Sequence, residues 1–336
     1  MHKKLQFAQW DITGSCNLRC KHCRAWELPK KNELTKKEGI KLLKDLSNLG
    51  VKILNFSGGE PFLRNDIFDL LDHVKNFSVV TITTNGTLLS KDKIYKLNKF
   101  NNIRLSVSVD GLKKFHDEFR QVSGVFEKAI ETIKNLTKES IVTSVRFTLT
   151  NSNKNDVIPI FRLVSKYNIE SFNIRGVIPS GKADLLLMPS GHDYIETIRK
   201  VIKFGKKKKI KVISGDPILL PVFPELLGEE WEKIGNKVFT EICAGCIAGD
   251  DAIYIAPNGD VGACSYISNI AGNIRKKSLN KIVNDELLFK QLDNFRDKLK
   301  GRCGKCKFKD LCGGCRAVAL LLNKNLFAQD PRCLIK

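Results

Sequence analysis

The feature that most restricts this chain is a rhythm: from Phe7 to about Val177, short β-type runs alternate with longer helical patterns. The runs are Phe7–Thr13, Lys52–Phe56, Val79–Thr83, Arg104–Val109, Ser144–Thr148 and Ser171–Val177. Helical patterns fall near Thr35–Leu49, Asp66–Asn76, Lys91–Phe100, Phe126–Lys138 and Asp156–Tyr167. Single helices between successive strands imply right-handed crossovers and a parallel sheet. Six strands make a curved α/β sheet, two short of the eight that close a full barrel. In such sheets the chemistry gathers in the loops that follow the strands. Local signals agree with the periodicity. Thr35-Lys36-Lys37-Glu38 has the form of a capping box ahead of apolar Ile40, Leu43 and Leu46, and Gly50 reads as a helix stop.

After Pro179 the rhythm is lost. A helical stretch (about Asp193–Phe204), a basic run and the Pro-rich segment Asp216–Pro224 lead into a tail that holds eight of the eleven cysteines. This divides the 336 residues into a core over 1–215, a linker over 216–240 and a Cys-rich domain over 241–336. The tail has one clear hairpin signal, Ala252–Ala256 and Val261–Cys264 around Pro257-Asn258-Gly259-Asp260. The basic run, Arg199 to Lys211, carries eight Lys and Arg and no acid, within a net charge of +21. Without aromatic residues interleaved at stacking spacing it reads as a solvated linker, and the case for nucleic acid is weak. No stretch approaches the roughly 18–20 apolar residues of a membrane span. The first residues lack the apolar core of an export signal, so a cytoplasmic, reducing setting is expected. There the cysteines point to metal or cluster ligation, not disulfides.

The first three cysteines form Cys16-Asn17-Leu18-Arg19-Cys20-Lys21-His22-Cys23, a CxxxCxxC directly after the first strand. Three thiolates on one loop can hold three irons of a cubane and leave the fourth open to a small molecule. A zinc loop completed by His22 is the alternative for these residues alone. Strand two is followed by Ser57-Gly58-Gly59-Glu60-Pro61, strand three by Thr83-Thr84-Asn85-Gly86-Thr87, and strand four ends in Ser106-Val107-Ser108-Val109-Asp110-Gly111. A later His116-Asp117-Glu118-Phe119-Arg120 completes the series. With these motifs in this order, the chain resembles the radical S-adenosylmethionine (SAM) superfamily. The resemblance implies a partial (β/α)6 TIM-like barrel whose Cys16, Cys20 and Cys23 hold a catalytic 4Fe-4S cluster. It also implies that Gly58, Gly59, Glu60 and Pro61 hold the SAM amino group, that Ser108 and Arg120 contact its carboxylate, and that Asn85 stands near the site.

The tail reads Cys243-x2-Cys246-x12-Gly259-x4-Cys264, then Cys303-x2-Cys306-x5-Cys312-x2-Cys315-x17-Cys333. It resembles a SPASM domain. Interleaved ligation in that family implies one auxiliary cluster on Cys243, Cys246, Cys264 and Cys315, and a second on Cys303, Cys306, Cys312 and Cys333. The chain departs from the commoner pattern in having two residues, not three, between Cys312 and Cys315. Three 4Fe-4S clusters account for every cysteine, leaving no thiol to return a hydrogen atom as an epimerase requires. Two zinc ribbons are the alternative for the tail alone.

The resemblance implies an enzyme that cleaves SAM reductively to a 5′-deoxyadenosyl radical, fed by a low-potential donor of ferredoxin or flavodoxin type. Auxiliary clusters would accept the odd electron and allow net oxidation. Within the superfamily, Cys20–Ala25, Pro179–Ala183, Asn273–Arg275 and Lys300–Cys333 resemble a branch with several members. It holds alternative and denitrification haem biosynthesis enzymes, the mycofactocin maturase and a tungsten cofactor-modifying protein. A cofactor precursor, of tetrapyrrole or similar type, is the expected substrate. The alternative is a ribosomal precursor peptide, crosslinked or decarboxylated with a separate leader-binding carrier protein. Arg24 and Arg175 are candidates to pair with substrate carboxylates. An alternative of another class is a non-catalytic zinc- or RNA-binding protein.

Overall fold

Strand residues of this chain largely alternate between apolar and polar, and the computed structural model, which describes residues 5–228 and 245–333, gives that alternation two different faces. Strands β1 (Phe7–Thr13), β2 (Ile53–Gly58), β3 (Val79–Thr84), β4 (Ile103–Ser108), β5 (Thr143–Leu149) and β6 (Ser171–Gly176) pair in sequence order, all parallel. On one face lie Trp10, Phe56, Ile82, Val107, Phe147 and Ile174, all buried against the helices. Trp10 packs edge-on against Phe56 at 5.5 Å between ring centroids. The other face carries Asp11, Ser57, Thr83, Ser108, Arg146, Thr148 and Arg175. A parallel sheet covered on both sides by helices normally reads as unbroken apolar runs, so a polar face marks the wall of a cavity.

The helices between these strands are α1 (Lys36–Asn48), α2 (Ile67–Leu71), α3 (Lys91–Leu97), α4 (Lys113–Arg120), α5 (Val125–Lys138) and α6 (Val157–Val164). Thr35 and Glu38 close the expected capping box on α1, and Gly50 follows its end at φ +89°. The expected helix over Asp66–Asn76 is shorter, ending at Leu71.

The basic run is part of the core. Lys206, Lys207 and Lys208 form the last turn of α7 (Gly191–Lys208), where cations meet the negative end of the helix dipole. Lys211–Ile213 is a seventh parallel strand, β7, beside β6. The stretch 216–240, expected as a linker, is described to Gly228 and is packed there. Residues 217–222 form a 3-10 helix that buries Pro217, Ile218, Leu219, Leu220 and Val222. Helix α8 (Phe223–Leu227) follows.

The tail joins the same sheet. The expected hairpin forms as β8 (Ala252–Ile255) and β9 (Asp260–Gly262), extended by β10 (Ile270–Asn273). Strand β8 lies parallel to β1, with Phe7 opposite Ala252 and Trp10 opposite Ile255. One ten-stranded sheet therefore runs β10-β9-β8-β1-β2-β3-β4-β5-β6-β7. Helices α9 (Leu279–Asp285), α10 (Leu287–Leu292), α11 (Gly301–Lys305), α12 (Lys309–Cys312) and α13 (Arg316–Asn323) complete the described tail. Arg275 fastens it to the core by bonding the Glu38 carboxylate at 2.6 and 2.9 Å and the carbonyls of Asn32 and Glu33. Among the described residues no helix is long and apolar enough to cross a membrane.

Candidate functional site

The loop after β1 brings Cys16, Cys20 and Cys23 to the open end of the polar face, where all three line one cavity. Leu18, Cys20 and Val125 are buried together and seat the loop on α5. Backbone amides of Leu18 and Ala25 donate to the Cys16 and Cys23 sulfurs at 3.4 and 3.3 Å. Burial raises all three thiol pKa values, Cys20 to about 12, so a metal bound here must displace their protons. His22 lies flat on Phe119 at 4.5 Å, and burial lowers its pKa to about 4, leaving it neutral. Its Nδ1 is buried without a partner.

The glycines after β2 answer a different need from the one expected. Gly59 donates to the Thr13 carbonyl at 2.8 Å, and Glu60 donates to that of Ser15 at 2.8 Å. A Cβ on Gly59 would stand 1.9 Å from the Ser15 oxygen, and Gly58 sits at φ +121°. The close approach is thus to the backbone just before Cys16, which locks the β2 turn to the cysteine loop. Glu60 departs further from expectation. It is fully buried, and its carboxylate accepts from the Thr84 hydroxyl and the Asn85 amide, both at 2.8 Å, and from the Phe62 amide at 3.2 Å. Neither Glu60 nor Pro61 lines the cavity; Ser57, Gly58 and Gly59 do. Glu60 therefore braces the next strand end, with three donors of the chain already on its carboxylate.

Asn85 lines the cavity, and its amide donates to Asn17 within the cysteine loop at 3.0 Å. Ser108 and Arg120 line it too. Asp110, fully buried, organises this side by accepting from Arg120 at 2.6 Å and from the Thr148 amide at 2.9 Å. Arg120 and the nearby imidazoles hold the Asp110 carboxyl well below its usual range against the opposing cost of burial. One donor is left over: Arg120 Nε is buried with no acceptor. Three thiols, a glycine-lined wall and an unspent guanidinium donor fit an iron-sulfur cluster with a bound carboxylate ligand.

Among the tail cysteines, Cys243 lies outside the described residues. Cys303, Cys306, Cys312 and Cys333 line a second cavity together. Cys246 and Cys315 are buried in one cluster against which Cys264 packs, and burial raises the thiol pKa of all three. A buried ionic chain holds the two groups in place. Arg332 forks onto Asp216 at 2.7 and 2.9 Å and reaches Asp330, which accepts from the Cys315 amide at 2.9 Å and whose own amide donates to the Cys303 sulfur at 3.4 Å. Cys246 donates to the Cys312 carbonyl at 2.8 Å. The ten described cysteines form no disulfide. Among the described residues no three Cys, His, Asp or Glu side chains gather around a single point.

Of the two arginines singled out in the sequence, Arg24 is already paired, with Asp11 at 2.6 Å. Arg175 lines the cavity, and so does Arg146, which sequence reading missed. Its signal was a charge at an inward position of an alternating strand, two residues before Thr148. Tyr266, two residues past Cys264, was missed as well; its ring lies 4.9 Å from the Arg175 guanidinium.

Comparison with known proteins agrees with this construction. The Radical SAM superfamily model matches residues 10–164, and that of the SPASM iron-sulfur cluster-binding domain matches residues 246–307. An AdoMet-dependent heme synthase of Methanosarcina barkeri is 28% identical over 337 residues, covering 97% of this chain and 95% of that protein. An Fe-coproporphyrin III synthase of the same organism is 29% identical over 97% of this chain and 87% of that protein. The fold matches that of Streptococcus suis SuiB bound to S-adenosylmethionine with a TM-score of 0.81 at 20% identity, over 99% of this chain and 78% of that one. The chain belongs to the radical SAM superfamily, as an enzyme that binds S-adenosylmethionine and iron-sulfur clusters and carries a SPASM domain.

Proposed function

We propose that this enzyme oxidatively modifies a cofactor precursor of the tetrapyrrole class, using three 4Fe-4S clusters. The observation that carries the reading is the single cavity lined by Cys16, Cys20 and Cys23 together with Ser57, Gly58, Gly59, Asn85, Ser108 and Arg120. Near full-length similarity to two enzymes named for haem and coproporphyrin synthesis supports the substrate class.

Residues 1–215 form the catalytic half in this reading, and residues 241–336 the half that holds the auxiliary clusters. Cys16, Cys20 and Cys23 ligate the first cluster. Cys243, Cys246, Cys264 and Cys315 ligate the second, and Cys303, Cys306, Cys312 and Cys333 the third. When bound, the first cluster and SAM supply a hydrogen-abstracting radical. Arg120 Nε donates to the SAM carboxylate beside the Ser108 hydroxyl, while Asp110 fixes the guanidinium from behind. Carbonyls of the Ser57–Gly59 turn accept from the SAM ammonium, since Glu60 is committed to Thr84 and Asn85. Asn85 holds the cysteine loop in register through Asn17. The remaining cavity wall excludes water from the reacting centre. A low-potential ferredoxin- or flavodoxin-type donor provides the reducing electron.

Anaerobic reconstitution tests the reading. It predicts about twelve irons per chain, 5′-deoxyadenosine on reduction with SAM, and loss of CO2 or a side-chain fragment from iron-coproporphyrin III. Colourless protein with stoichiometric zinc and no 5′-deoxyadenosine would overturn it. SAM cleavage driven only by a precursor peptide would replace the tetrapyrrole by that substrate.

A further inference from the structure

The four arginines on the wall of the catalytic cavity fall into two kinds. Arg24 and Arg120 are each neutralised by a fully buried carboxylate at 2.6 Å, Asp11 and Asp110 respectively. Arg146 and Arg175 have no carboxylate partner and no side-chain hydrogen bond among the described residues, and Arg175 Nε is buried without an acceptor. They stem from neighbouring strands, Arg146 level with Asn173 on β6 and Arg175 level with Thr148 on β5, so both project from the same face two residues apart. Arg175 lies over the Tyr266 ring at 4.9 Å, which orients the guanidinium plane. Burial and the charges of Arg175 and Arg24 push Arg146 below the ordinary arginine value.

Two like charges, half-buried side by side, are costly unless an anion joins them. From the tail, Tyr266 stands near both guanidiniums and Cys264 and Cys315 near Arg175, while the carboxylates that act on them, Asp110 on Arg146 and Asp216 on Arg175, make no ion-pair contact with either. Guanidinium forks favour carboxylates by bidentate pairing. We propose that Arg146 and Arg175 form the carboxylate-binding subsite of this cavity and dock a carboxylate-bearing substrate. The inference rests on the proposed tetrapyrrole reading, whose substrates bear several propionates. It places one side-chain carboxylate between the Cys16–Cys23 loop and the wall backed by Cys264 and Cys315.

Phenylglyoxal labelling of the reconstituted holoenzyme, mapped by mass spectrometry, tests the subsite. Arg146 and Arg175 are expected to label in the free holoenzyme and to be protected by coproporphyrin III and by tricarballylate, but not by coproporphyrin tetramethyl ester. Ion-paired Arg24 and Arg120 serve as internal controls with low labelling. R146Q and R175Q should each weaken coproporphyrin III binding by about tenfold or more, the loss of one charge-assisted contact. Protection by tricarballylate without protection by coproporphyrin III would uphold the subsite and defeat the tetrapyrrole reading. Absent labelling, absent protection by both acids, equal protection by the ester, or protection by SAM alone would each overturn the subsite. The last result would assign the two arginines to the carboxylate of SAM.

Discussion

The catalytic cavity and the tail cavity present their cysteines in opposite ways. Cys16, Cys20 and Cys23 come from one unbroken loop, and their cavity is walled by Ser57, Thr83, Ser108, Arg146, Thr148 and Arg175. Cys303, Cys306 and Cys312 also fall within one short stretch, but Cys333 joins them from further along the chain, and the set is braced by the buried Asp216–Arg332–Asp330 chain and walled partly by Ile218, Pro221 and Phe308. A local ligand set with polar walls leaves room for a reactant beside the metal. In the proposed reading, four thiols around one cluster would leave no iron free for substrate and suit electron transfer. The contrast teaches that the two cavities differ in what accompanies the sulfurs: hydroxyl, amide and guanidinium groups beside three thiols in the first, and an ion chain bracing four thiols in the second.

That contrast can be broken by removing one thiol from each side. Cys16→Ala should abolish reductive SAM cleavage while about eight irons remain bound, read by 5′-deoxyadenosine and iron assays. Cys306→Ala should keep SAM cleavage and block product formation; full turnover would make the second auxiliary cluster dispensable. The tail side depends on its ion chain. Asp216→Ala leaves Arg332 half-paired in a buried position and should cost about 3 kcal/mol, with loss of tail iron on unfolding or dialysis. An unchanged melting temperature would show that the chain is not what gathers the tail. On the open side, Gly59→Ala drives a methyl into the Ser15 carbonyl and should cost about 1–3 kcal/mol, with weakened SAM binding measured by calorimetry.

The smallest effect concerns the join between the two halves. Arg275 lowers the Glu38 pKa from 4.5 to about 2. The depressed value means that the pair stabilises fully above pH 4.5 and is lost as pH falls towards 2. Both side chains are about a third exposed, so Arg275→Ala should cost on the order of 1 kcal/mol at neutral pH. The gap between wild type and variant should shrink on acidification, as urea titrations at several pH values would reveal.

Much of this was legible along the chain because its determinants are local. Apolar-polar alternation marked β1 to β6, and Thr35 with Glu38 marked the start of α1. Cysteine spacing located the loop that heads the cavity. What escaped depends on pairing between distant residues. Strand β7 is three residues long and follows a lysine run, so nothing but β6 beside it makes it a strand. Strand β8 reads as half of a hairpin, and its parallel pairing with β1 depends on chain more than 240 residues away. Glu60 looked free to bind a cofactor because its competitors, Thr84 and the Asn85 amide, belong to the next strand end. Arg24 looked available for substrate because Asp11 and Tyr254 reach it only in the folded sheet.

The central claim is that the Cys16–Cys20–Cys23 loop holds a cluster open to SAM. Electron paramagnetic resonance of the reduced, oxygen-free holoenzyme, with and without added SAM, tests it most directly. The account predicts a 4Fe-4S signal that changes on SAM addition in the wild type and is missing in Cys16→Ala. A wild-type spectrum indifferent to SAM, or a responsive signal that survives in Cys16→Ala, would contradict it.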